Sequence, residues 1–144
     1  MVRFGMRALA FGVLMLAGAC AGFDPAPAPE ASPRPECAPQ TVTIYFTEES
    51  ATLQPLSDPL LGRLIEQVNA CTAAGGELRE LRVTAYPDRG ASRASAEAEM
   101  RTRAARVRAA LVEAGAPNEK IRIVRPRGES GVMQRRAEVT ADLF

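Results

Sequence analysis

The sequence predicts an α+β domain, a two-layer sandwich of two helices on a mixed four-stranded sheet, in the order β-α-β-α-β-β. Three observations carry this. Apolar and polar residues alternate at 42–46, 81–86 and 137–143, the period of strands buried on one face. Two stretches between them, 60–71 and 100–114, repeat apolar residues at three- and four-residue spacing, the period of amphipathic helices. Gly75-Gly76, and Gly115 with Pro117, stand where those helices must stop. Strands and helices that alternate in this way pack as one layer on another.

In the first strand Val42, Ile44 and Phe46 point one way and Thr43, Tyr45 and Thr47 the other. Asp58 as N-cap and Pro59 at the first helical position open the first helix, whose stripe is Leu60, Leu61, Leu64, Ile65, Val68 and Cys71. The second strand carries Leu81, Val83 and Ala85 opposite Arg82, Thr84 and Tyr86, and Pro87-Asp88-Arg89-Gly90 has turn composition. The second helix starts at Ser92 or Ser95, places Glu97 and Glu99 near its positive end, and buries Met100, Ala104, Val107, Leu111 and Ala114. Ile121 and Ile123 mark a short third strand and Pro126-Arg127-Gly128 a turn. In the last strand Ala137, Val139, Ala141 and Leu143 alternate with Glu138, Thr140 and Asp142.

The first forty residues read differently. Arg3 and Arg7 precede about ten apolar residues, too few for a membrane-spanning helix and suited to a signal peptide over 1–19. The junction Ala17-Gly18-Ala19-Cys20 resembles a lipobox, which makes Cys20 the acylated, palmitate-bearing N-terminus of a lipoprotein. Ordinary cleavage after Ala19 is the alternative. Residues 20–40 then form a tether with six prolines between 25 and 39, an extended spacer, and 41–144 form the folded domain. With Cys20 lipidated, Cys37 and Cys71 remain as an even pair in an oxidising compartment. A strand followed by a returning helix brings the end of that helix, Cys71, near the chain just before the first strand. A Cys37–Cys71 disulfide is therefore expected, against two separate thiols.

Composition excludes several chemistries. The chain has no His, so Ser-His-Asp and Cys-His catalysis and the common zinc sets are absent, and no Cys-x-x-Cys pair exists. Asp88, Glu97 and Glu99 lack a nucleophile or metal set to work with, so no enzyme, metal or cofactor is expected. From 79 to 136 there are 14 basic against seven acidic residues, which fits either an anionic partner or a solvated, Arg-rich helix face. Nucleic acid is not expected, since export and the low aromatic content, with no Trp, argue against it.

Several segments match one family in order and spacing. They are Phe46-Thr47-Glu48-Glu49-Ser50-Ala51-Thr52-Leu53-Gln54-Pro55, then Ala85-Tyr86-Pro87-Asp88, then Arg103-Ala104-Ala105-Arg106-Val107. Gly115, Pro117 and Ile121 follow, then Gly128-Glu129 and Gln134-Arg135-Arg136-Ala137-Glu138-Val139. Together they resemble the OmpA-like domain of outer-membrane proteins, flagellar stators and peptidoglycan-associated lipoproteins. The resemblance covers residues 41–142 and implies non-covalent binding of peptidoglycan through the diaminopimelate of its stem peptide. The family's ligand-binding Asp and Arg lie 15 residues apart, an interval kept by Asp88 and Arg103. An Asp accepts from the ligand ammonium and an Arg grips its carboxylate with a planar fork. It further implies an outer-membrane lipid anchor, with the domain in the periplasm.

The sequence departs from the family at Ala85 and Pro87, which replace a Gly and a Thr, at Ala96, which replaces an Asn, and at Glu99-Met100, which replace Leu-Ser. The stretch between Glu129 and Gln134 is also short. These departures leave a second reading, a scaffold that has lost the glycan site and docks an envelope protein.

Overall fold

The structure, a computed structural model, describes residues 34–127 and 135–144. The expected export segment, Cys20, the first prolines of the tether and residues 128–134, which include the end of the expected Pro126-Arg127-Gly128 turn, lie outside the described residues. The strands are β1 (Gln40–Tyr45), β2 (Leu78–Ala85), β3 (Ile121–Val124) and β4 (Arg136–Leu143); the helices are α1 (Ser57–Ala73) and α2 (Arg93–Glu113). They form one sheet in the order β1-β4-β2-β3. The sheet is mixed, as the sequence predicts: β4 runs antiparallel to both β1 and β2, and β2 runs parallel to β3.

The register explains which residues form the core. Val42, Val139, Val83 and Ile123 stand side by side across the four strands, as do Ile44, Ala137 and Ala85. Because side chains alternate faces along a strand, all of these point to one side, although Ile123, on the edge strand, stays 49% exposed and outside the core. Leu61, Leu64, Ile65, Val68 and Cys71 of α1 and Ala104, Val107 and Leu111 of α2 cover that side and are buried. Each large aliphatic residue removed from water in this way stabilises by about 1.5–3 kcal/mol. The row Thr41, Thr140, Arg82 and Arg122 lies on the opposite, polar face.

Both helices stop as the glycines require. Gly75 and Gly115 have φ of 81° and 100°, in the left-handed region, one residue past the C-caps Ala74 and Ala114. The N–H of Gly76 then donates to Cys71 O, and that of Ala116 to Leu111 O. These bonds satisfy carbonyls that have no partner within the helix. Ser92 is the N-cap of α2, and its hydroxyl accepts from the Ser95 N–H.

The start of α1 differs from expectation. Asp58 is not the N-cap; the helix begins at Ser57 with no side-chain cap. The chain is already turned there, since the Ser57 N–H donates to Gln54 O at 2.8 Å and Leu56 has helical angles. A side-chain cap needs an extended N-cap residue, and this entry lacks one. Leu60 also leaves the predicted stripe, at 36% exposed. It lies at the margin of a face that Leu61, Leu64 and Ile65 already fill.

Before β1, Pro35–Cys37 makes one 3-10 turn against the end of α1. Cys37 is buried there and joined to Cys71 by a disulfide, with the two Cα atoms 4.7 Å apart. The Gln67 amide also donates to Glu36 O at 2.6 Å.

Candidate ligand site at the β1–α1 and β2–α2 loops

Two loops leave the same end of the sheet, one after β1 and one after β2, and α2 passes beside them. Arg103, about three turns into α2, lies on the same face as Ala104 and Val107 and therefore points inward. Its side chain is 1% exposed. Burying a cation is tolerable only when it is paired and hydrogen-bonded, and this one is both. Nε donates to Ser50 O at 3.0 Å in the first loop, and Nη1 to Tyr86 O at 2.9 Å at the start of the second. Nη2 donates to Asp88 Oδ1 at 2.6 Å. The ring of Phe46 lies 5.3 Å from the guanidinium carbon.

The two residues that the 15-residue interval singled out are thus brought together, as an ion pair with each other. Asp88 is 10% exposed. Its Oδ2 accepts the Glu49 N–H at 2.8 Å, which ties the two loops to one another. Burial pushes the Asp88 carboxyl up, but the Glu49 N–H and then the Arg103 guanidinium outweigh it, with Arg135 adding. The net result is a pKa below the ordinary carboxylate value. Tyr86 is held from the far face of the sheet: its hydroxyl donates to Glu138 at 3.1 Å and its ring carries the Arg136 guanidinium at 4.0 Å. Burial first, and then the Glu138 carboxylate, push its phenol above the ordinary value. That anchorage fixes the carbonyl Arg103 uses.

Backbone strain gathers at the same place. Glu49 and Arg135 are non-glycine residues with φ of 52° and 64°, a conformation costing on the order of 1–3 kcal/mol each. Arg135 closes the loop system: its N–H donates to Pro87 O, its carbonyl accepts from Phe46, and its side chain lies 3.5 Å from Glu48.

Sequence reasoning singled out Asp88 and Arg103 but not two acids beside them. Glu49 and Glu99 line the hollow over Arg103, with Ser50 and Thr102. Glu99 is engaged on both oxygens: Oε2 accepts the Asp88 N–H at 2.8 Å and Oε1 accepts the Ser95 hydroxyl at 2.9 Å. Its Oε2 also lies 3.7 Å from Arg103 Nη1. The signal was present in the spacing, since Glu99 precedes Arg103 by four residues and so shares its helix face. Glu97 takes no part; it lies 3.7 Å from Arg101 and 3.1 Å from Arg125. Those three rim a separate depression with a largely apolar floor, between α2 and β3. No group of metal-ligating side chains occurs among the described residues, nor any helix long and apolar enough to cross a membrane.

No protein-family model matches the sequence, and no curated protein matches it. Solved structures do match. The peptidoglycan-associated lipoprotein from Burkholderia pseudomallei aligns with a TM-score of 0.55 at 18% identity, over 69% of this chain and 88% of that one. The OmpA-like domain of FopA1 from Francisella tularensis aligns with a TM-score of 0.58 at 15% identity, over 71% of each. The periplasmic domain of Helicobacter pylori MotB aligns with a TM-score of 0.53 at 12% identity, over 70% and 72%. With the element order, the mixed sheet and the segments around Phe46, Asp88 and Arg103, these likenesses give the chain the OmpA-like fold.

Proposed function

We propose that the chain is an envelope lipoprotein whose OmpA-like domain binds peptidoglycan non-covalently and tethers it to the membrane that holds Cys20. The reading is of a binding module and not an enzyme. The observation that carries it is the Asp88–Arg103 pair, an anion and a cation 2.6 Å apart where two loops and a helix meet. A diaminopimelate end presents an ammonium and a carboxylate on one carbon, so its recognition needs such a pair. The fold shared with a peptidoglycan-associated lipoprotein supports the same assignment. Cys20 as the lipid anchor, the outer membrane as its location and the periplasm as the domain's compartment belong to this proposal.

Co-sedimentation with purified sacculi tests it. The wild type should pellet with sacculi, and Asp88→Asn should weaken binding by about tenfold or more, the worth of one charge-assisted hydrogen bond. Arg106→Ala and Arg108→Ala each remove a positive charge from α2 without touching the pair and should bind as the wild type does. Loss in Arg106→Ala and Arg108→Ala without loss in Asp88→Asn would reduce the interaction to diffuse electrostatics.

One observation favours the second reading, a scaffold that docks an envelope protein. Arg103 is buried and already committed to Ser50, Tyr86 and Asp88. A wild type that leaves sacculi in the supernatant decides for the scaffold.

A further inference from the structure

The position of Glu99 bears on which form of ligand the site accepts. A ligand carboxylate entering beside Asp88 needs N–H donors, and those within reach are the Asp88 backbone N–H and the Arg103 guanidinium. Glu99 already presents a carboxylate to both, 2.8 Å from the first and 3.7 Å from Nη1 of the second. Its other oxygen is fixed by Ser95, so the side chain is held at both ends. The hollow is lined by the carboxylates of Glu49 and Glu99 against Arg103, whose own charge is already matched by Asp88, while Arg135, which also acts on Asp88, pairs with Glu48. A second free carboxylate there meets like charge in a partly desolvated place. An ammonium meets the opposite, and a carboxamide adds N–H donors without adding charge.

We propose that Glu99 fills the carboxylate half of the Asp88–Arg103 site, making it selective for an ammonium whose neighbouring carboxyl is capped as an amide. This rests on the site assignment under Proposed function and narrows its ligand class. The ligand ammonium is held by Asp88 and Glu49, and the amide N–H2 donates to Glu99 where a carboxylate would be repelled. Glu99 is a specificity-determining residue, set four positions before the arginine it competes for.

The test is a titration of the purified full chain with two probes, diaminopimelic acid and its monoamide with one carboxyl converted to a primary amide. The wild type should bind the monoamide at least about tenfold more tightly than the diacid, the ratio expected from one charge-assisted contact. In Glu99→Gln, which keeps the shape and removes the charge, the diacid should gain and the ratio should fall to about one. Glu97→Gln removes the same charge two residues away and should leave the ratio at its wild-type value. Equal affinity for both probes in the wild type, or tighter binding of the diacid, overturns the proposal while leaving the site assignment standing. A ratio that Glu97→Gln lowers as much as Glu99→Gln does also overturns it, because the preference is then a property of the whole surface. If neither probe binds the wild type or Glu99→Gln, the site assignment itself fails and the proposal with it. The wild-type ratio alone decides the matter if Glu99→Gln does not fold.

Discussion

Removing the guanidinium of Arg103 should unfold the domain more readily than any other single charge deletion on α2. The magnitude follows from what the side chain holds. It is 1% exposed and donates to Ser50 O, Tyr86 O and Asp88 Oδ1, so Arg103→Ala strands a carboxylate that is itself only 10% exposed, together with two carbonyls. Taking one partner from a buried ion pair costs about 3–5 kcal/mol. For a domain of this size, 1 kcal/mol moves Tm by roughly 4–8 °C, which puts the loss at about 12 °C or more. Urea unfolding followed by circular dichroism measures it. Arg103→Met should recover part of the loss through packing, and Arg106→Ala, at an exposed position on the same helix, should stay within about 0.5 kcal/mol of wild type. Because Asp88 is destabilised mainly by losing its partner, Asp88→Ala should cost far less in the Arg103→Ala background than alone. That difference sets a coupling of about 1–3 kcal/mol. An Arg103→Ala loss below about 1 kcal/mol, or strict additivity in this cycle, would refute the picture of a buried pair that clamps two loops.

Four other outcomes are expected. Asp88 has a depressed folded-state pKa, so its contribution is present above the unfolded value, near pH 4, and is lost as pH falls through the folded value. Asp88→Asn should therefore flatten the stability profile below about pH 4, and an unchanged acid limb counts against the assignment. Reducing the Cys37–Cys71 bridge, which spans 34 positions, should lower stability by about 3–4 kcal/mol in chemical unfolding, less any strain; a loss below about 1 kcal/mol would mean the bridge constrains little. Gly76→Ala puts a methyl group against both sulfurs and 2.8 Å from Phe144 O, so it should cost about 1–3 kcal/mol, whereas Gly62→Ala, in open space, should not destabilise. Metabolic labelling with a fatty-acid probe should mark the wild type and not Cys20→Ser, and labelling of neither defeats the lipoprotein proposal.

Local periodicity was enough for the architecture. The two-residue alternation of Val42 and Ile44, of Leu81 and Val83, and of Val139 and Ala141 already separates a core face from a solvent face. That separation restricts how the strands can pair. Gly75, Gly115 and Ser92 announce helix ends by their own stereochemistry, which depends on no distant contact. Cysteine parity and the return of α1 were likewise enough to pair Cys37 with Cys71. The 15-residue interval that the family resemblance singled out, from Asp88 to Arg103, joins two residues that the fold brings into an ion pair.

What the sequence leaves undecided is what those residues face once the chain has closed. Arg103 reads as one more cation on an arginine-rich helix; only the packing of α2 against the sheet makes it a buried one. Leu60 reads as core, yet α1 rotates it to the margin, because a stripe defined by spacing does not say where the sheet's edge falls. The entry of α1 was misplaced because a turn from Gln54, and not a capping side chain, starts it. Glu49, Ser50, Tyr86 and Glu99 converge on Arg103 from three separate segments. Such convergence is a property of tertiary distance, to which composition and period are blind. Fold class is therefore local information, whereas the choice of Asp88 and Arg103 rests on the family resemblance. The environment of that pair, and with it the choice between an ammonium and a carboxylate, exists only in the folded chain, where burial and neighbouring charge decide what a charged side chain can bind.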